Sequence, residues 1–431
     1  MADGKISIQS TDNKIYTMTP EVGAAAAVAI TLPKEGGVIA TESYVDDKIL
    51  LATSTEKYSG PYGLNWDETN DVYLRTGSTN YKAIQSLMRR CVMNDNGTVN
   101  YYLHPHNSNY KADGTAADLT GASGNVMVEV PKFYYKYNYN TTAGVVHEHS
   151  ISLTPLDGYT VHDAFVRGGV EKDYRYYPAY LGYSTGSKLL SRSGVYPTVN
   201  QTRAQFRTLA RANGAGWEQI DFLLYEAITL LMVIEYGTMN IQSALGQGRT
   251  ALTGGTWVGG SLIGINGLSN GVGNGTANVT YAGSADDAAA DGSFMTYRGC
   301  ENFFGNVWRF VDGINCNGSN SKLVYLNMNP ATYADSVITG DYVSVGVTSA
   351  AASGYVRKLG NTRKGFIPTD ITGGTSANGT TDYYYTSTTV DTLARVGGLA
   401  LNGGLGAGPL YLRVDAAPSL SSVNVGAGVS R

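Results

Sequence analysis

The sequence predicts an α+β fold that is mostly β, and three observations carry that prediction. From residue 56 to about 155 the chain alternates in strand fashion. Val126, Val128 and Val130 share one face, PKFYYKYNY follows, and Gly, Asn and Asp turns flank the stretch. Only two stretches have convincing helical character, and both lie between Tyr196 and Gly237. Glycine at 54 and tyrosine at 32 are well above ordinary usage, while charged residues make up 15% of the chain. That is a loop-rich profile in which tyrosines sit on half-buried strands or decorate an adaptable binding surface.

A chain of 431 residues is long enough for two or three domains. Residues 1–55 hold a β-like start, KISIQS, an Ala-rich run and TLPKEGGVIATESYVDDKIL, with too little material for a core of their own, so they are expected to dock onto something else. Residues 56–155 form the small antiparallel β region, and residues 156–431 the remaining domain. There Thr198 or Asn200 can cap a helix that runs to about Asn213, with Phe206, Leu209 and Ala210 inward. Arg203, Arg207 and Arg211 share its other face and read as a solvated row. The second helix is apolar nearly all round from Ile220 to Ile234 and stops at Gly237, which predicts a buried core helix. Ala244 to Gly292 reads as long loop inside the domain, after which RGCENFFGNVWRFVDGINC resumes an aromatic core pattern.

A formal charge of −4 with no Lys/Arg run argues against nucleic acid as a partner. The apolar run Val22 to Leu32 is too short to span a bilayer and lacks the basic start of a signal peptide, so a chain made in the cytoplasm and not embedded in a membrane is expected. Cys91, Cys300 and Cys316 fit neither a zinc site nor a disulfide framework and read as reduced, half-buried thiols. His104-Pro105-His106 and His147-Glu148-His149 could chelate a metal from one strand face, but they read more simply as exposed loop histidines, and neither metal nor cofactor is expected. GVGNG at Gly271 to Gly275 lacks the Lys-Ser/Thr of a phosphate loop. Asp67, Glu68, Asp163, Glu301 and Asp312 offer carboxylates, but spacing fixes no catalytic pair, so no enzyme is expected.

The last stretch, RVGGLALNGGLGAGPLYLRVDAAPSLSSVNVGAGVSR, has a Gly, Asn and Pro skeleton that fixes a backbone path with few residues. Positions between them are free for other work, and ordered loops with such freedom commonly display binding specificity.

Together YGLNWDETNDVYLRTG, MRRCVMNDNGTVNYYL, VMVEVPKFYYKY, RGCENFFGNVWRFVDGI and GGLALNGG with APSLSSVNVGAG resemble phage tail fibre and receptor-binding proteins that end in a C-type-lectin-like domain. The resemblance spans roughly residues 56–431 and extends to the variable proteins of diversity-generating retroelements and to formylglycine-generating enzymes. It implies two helices beside a small sheet, a C-terminal segment lining an exposed binding face, and attachment of residues 1–55 to other phage tail proteins in the virion. It also implies a homotrimer and adsorption to a receptor on the bacterial outer surface. The positions it marks as receptor contacts are Leu399, Leu401, Leu405, Tyr411, Arg413, Asp415, Ser419, Ser421 and Val423. The leucines among them favour a protein receptor over a glycan. Calcium-lectin triplets are absent, and no cysteine lies beyond residue 316, where the related enzymes carry their active-site pair. An enzyme of the same fold, or a glycan hydrolase, is the alternative.

Overall fold

A computed structural model describes residues 58–431, apart from 143, 258–260, 319–321, 388–392 and 404–405, together with two strands near the N-terminus. Strands account for 34% and helices for 13%, which makes the fold mostly β, with several antiparallel sheets. Met1–Ser59 and Gly60–Arg431 are two compact units. In the first, Ile6–Gln9 pairs antiparallel with Ile15–Met18, so the β-like start is one arm of a hairpin. The rest of the segment expected to attach to other tail proteins lies outside the described residues.

The boundary expected at 155/156 separates no compact units. Strand Tyr174–Pro178 pairs with Asn125–Pro131 across it, Tyr176 opposite Glu129, and the two form one edge of a five-stranded sheet completed by Arg89–Met93, Val99–His104 and Asn107–Lys111. A second five-stranded sheet runs in the order Thr160–Val161, Tyr134–Asn140, Val146–Ser152, Tyr62–Asp67, Val72–Gly77. Ladder hydrogen bonds join residues far apart in sequence, and the alternating pattern gives no hint of which strands pair.

The third large sheet carries the candidate site. Its order is Val343–Thr348, Leu323–Leu326, Trp308–Asn317, Leu393–Val396, Leu412–Ala416, Tyr383–Tyr385, Gly354–Tyr355. Val425–Gly426 runs parallel beside Trp308–Arg309, and Val429–Ser430 pairs with Glu218–Gln219. The final residues are therefore threaded into the core: Val425, Ala427 and Val429 are fully buried.

Both expected helices are present as α1 (Arg203–Arg211) and α2 (Phe222–Tyr236), followed by a short α3 (Ile241–Leu245). The cap of α1 is Thr202, not Thr198 or Asn200. Thr202 Oγ1 accepts from Gln205 N at 3.2 Å, and Gln205 Oε1 accepts from Thr202 N at 2.8 Å, a reciprocal pair that satisfies two donors at once. In α2 every residue from Phe222 to Ile234 is buried, and Gly237 ends it in a left-handed conformation, as its sequence predicts. The helix touches both the Trp308–Asn317 and the Tyr62–Asp67 strands, and Tyr225 stacks on Phe303 with centroids 4.6 Å apart. Burying each of its large apolar side chains contributes about 1.5–3 kcal/mol.

The arginine row on α1 is not a solvated face. Arg203 is fully buried and Arg207 nearly so. Arg207 grips Asp312 through two hydrogen bonds of 2.6 and 2.7 Å, and both arginines reach Asp335. The spacing correctly puts Arg203, Arg207 and Arg211 on one side, but strand Trp308–Asn317 carries the buried Asp312 to meet Arg203 and Arg207, while Arg211 pairs with Glu218.

Candidate functional site

The tail residues marked by the resemblance separate into two groups. Leu399 and Tyr411 are buried (5% and 0% exposed), so they are core here rather than exposed contacts. Leu401 is exposed, Val423 is half-buried, and Leu405 lies outside the described residues. With Leu399 inside, the apolar patch that favoured a protein receptor is not assembled from these leucines. Arg413, Asp415, Ser419 and Ser421, in contrast, line one open groove of about 600 Å3.

Strand register builds that groove. Arg395 lies directly opposite Arg413, an arrangement of like charges that is destabilising unless something bridges it. Asp415, two residues beyond Arg413 and so on the same strand face, is that bridge. It accepts from Arg413 Nε at 2.7 and 2.9 Å and from Arg395 Nη2 at 2.5 Å. Burial works against its charge, but the Arg413 hydrogen bond and the Arg395 charge outweigh it and hold the carboxyl below its ordinary value.

Trp308, from the next strand but one, covers both cations: the Arg413 and Arg395 guanidinium carbons lie 4.3 and 5.0 Å from its ring centroid. Tyr385, opposite Arg413 on the parallel neighbour, takes the same guanidinium at 4.7 Å. Each such contact is worth about 0.5–2 kcal/mol, and together they hold the Arg413 plane in place. Ala416, Ala417, Leu420, Ser422 and Asn424 complete the lining. Trp308, Arg395 and Tyr385 were not marked by sequence reasoning. Trp308 stands inside the quoted RGCENFFGNVWRFVDGI motif, but only strand pairing brings it, Arg395 and Tyr385 to residue 413.

The other chemical candidates are engaged elsewhere. All three cysteines are free and buried rather than half-buried, and burial pushes their thiols up, Cys316 to about 12, which disfavours the nucleophilic thiolate. Glu301 accepts from Gly267 N, Ser269 N and Ser269 Oγ, Asp163 pairs with Arg363 and Lys364, and Asp67 caps Thr69 and Asn70. Among the described residues no group of three or more His, Cys, Asp and Glu could hold a metal ion. No described helix is long and apolar enough to cross a membrane.

His147 and His149 are not loop histidines. They sit buried on Val146–Ser152, where His147 bonds Glu68 at 3.0 Å and Tyr137 at 3.0 Å, and His149 bonds Tyr135 at 2.8 Å. Burial lowers His149 to about 3 and His162 to about 4, while burial raises Glu226, on the facing helix, to about 8. The unfolded chain binds protons at the histidines near pH 6.5 and the folded one does not, so their contribution is present above 6.5 and is lost as pH falls towards 4. Glu226 acts oppositely: its contribution is present below about 4.5 and is lost as pH rises through 8. Denaturant titrations of His149→Gln are therefore expected to show stability relative to the parent improving on acidification from pH 6 to 4, by about 1.4 kcal/mol per unit. A pH-independent difference would contradict this assignment.

No protein-family model matches the chain, and no curated protein matches it significantly.

Proposed function

We propose that this chain is a phage tail fibre or tail-tip protein that binds a receptor on the bacterial surface, through a C-type-lectin-like domain whose groove is formed by residues 413–424 with Trp308 and Arg395. Residues 1–55 would join it to other tail proteins. A homotrimer suits that role, because repeated weak tips raise avidity without new contacts. The observation that carries the reading is convergence: four tail positions marked by the resemblance meet in one open groove, on a floor of paired arginines clamped by aromatic rings. A surface held this rigidly loses little entropy when it binds.

The test is adsorption of the purified protein to a panel of bacterial strains, alongside Ser421→Trp. Ser421 is exposed at the groove rim, so the indole fills the groove while thermal stability stays within about 0.5 kcal/mol of the parent. Loss of cell binding by at least tenfold, about 1.4 kcal/mol, is expected. Unchanged adsorption moves the site elsewhere, and no adsorption to any strain by the parent protein overturns the reading.

A further inference from the structure

Resting on that reading, we infer that the groove recognises a carboxylate-bearing sugar of a bacterial surface polysaccharide, with the Arg413 guanidinium as the group that meets the carboxylate. The groove lining contains two guanidiniums and one carboxylate, so it carries one positive charge in excess within a chain of net charge −4. That excess matches a singly charged carboxylate. Arg395 is almost fully buried and Arg413 is partly open, their side chains 4% and 22% exposed, which makes Arg413 the cation a ligand reaches.

Asp415 holds Arg413 from its Nε side, and the rings of Trp308 and Tyr385 both pack against its guanidinium. An incoming carboxylate can therefore approach the Nη1–Nη2 edge of an already oriented fork, the geometry that makes arginine a bidentate carboxylate reader. Ser419, Ser421, Ser422 and Asn424 line the wall with short hydroxyl and amide groups suited to a partner rich in hydroxyls. Beside Tyr385 the half-buried rings of Tyr383 and Tyr355 continue the row, with centroid separations of 4.5 and 5.1 Å, and offer apolar faces to further sugar rings. A protein-binding hot spot would instead centre on a desolvated apolar pocket, and this lining holds only Leu420 and two alanines beside Trp308, whose ring is taken by the arginines.

The experiment starts from cells that the protein adsorbs to. They are treated separately with protease and with periodate, and polysaccharide purified from them is used as competitor, native and after reduction of its carboxyl groups to alcohols. Adsorption is expected to survive protease, to be lost after periodate, and to be inhibited by native polysaccharide, with carboxyl-reduced material needing at least about tenfold more. Arg413→Lys keeps the charge facing Asp415 but not the fork, and should weaken adsorption about tenfold while lowering stability by only about 1–2 kcal/mol, so that thermal unfolding still shows a folded protein. Loss of adsorption to protease but not periodate, or equal competition by reduced polysaccharide, overturns the carboxylated glycan and leaves receptor binding standing. Absence of adsorption to any cell falls on the receptor reading itself and removes this inference with it.

Discussion

Asp221→Ala is expected to destabilise the Gly60–Arg431 unit by about 4 kcal/mol or more, the sum of a lost helix cap (about 1 kcal/mol) and a broken buried ion pair (about 3–5 kcal/mol). Asp221 is 1% exposed and does three things at once. Its Oδ1 accepts from Leu224 N at 3.0 Å and so caps α2, while Oδ2 accepts from Arg175 Nη2 at 2.6 Å and Arg167 Nη1 at 3.1 Å. Burial opposes its ionisation, yet Arg175 and Arg167 outweigh that and hold the carboxyl below its ordinary value. Arg175 is itself buried and also donates to the carbonyls of Ala164 and Arg431, so it ties the central helix, a β strand and the C-terminus to one point. Removing the carboxylate leaves that guanidinium charged and uncompensated. Asp221→Asn keeps an acceptor for Leu224 and should recover about 1 kcal/mol of the loss. Urea midpoints at unchanged slope measure both, and a loss below about 1 kcal/mol for Asp221→Ala would contradict the account.

Gly398→Ala is expected to lose about 3 kcal/mol, against about 1 kcal/mol for Gly403→Ala, although both glycines have positive φ, 68° and 44°. A Cβ on Gly398 would lie 2.3 Å from the Ala407 Cβ and 2.8 Å from its Cα, so one stretch of the tail must move off another. A Cβ on Gly403 meets nothing within 4 Å and adds only left-handed strain. The displaced segment leads directly into strand Leu412–Ala416, so Gly398→Ala should also weaken adsorption through Arg413 while Gly403→Ala leaves it intact. Equal losses in the two variants would show that conformational strain alone decides.

Much of the fold was legible in the residues. The run from Ile220 to Ile234 reads as a buried core helix, because no face of it is polar enough to meet water, and the helix Phe222–Tyr236 is buried and ends at Gly237. Val126, Val128 and Val130 do lie on a buried strand. Of the tail glycines, Gly397, Gly398 and Gly403 take positive φ, the first two at the bend that follows strand Leu393–Val396, whereas Gly406 and Gly408 do not. Illegible were contacts whose partner is distant in sequence. Arg203 and Arg207 look like a solvated row until Asp312 arrives more than a hundred residues later, and His147 and His149 look like loop residues until Glu68 and two tyrosines enclose them. Tyr411 has the character of a contact residue, but neighbouring strands cover it.

The sequence by itself determined the mostly β class of the structure, the existence of α1 and α2 with the end of α2 at Gly237, and the bend at Gly397 and Gly398, because propensity, periodicity and backbone freedom are local properties. Which tail residues reach a surface was decided by tertiary structure alone. Arg413 and Asp415 become a site only when register sets Arg395 opposite and Trp308 and Tyr385 alongside, and strand pairing over such separations is governed by packing and ladder hydrogen bonds that no single segment encodes.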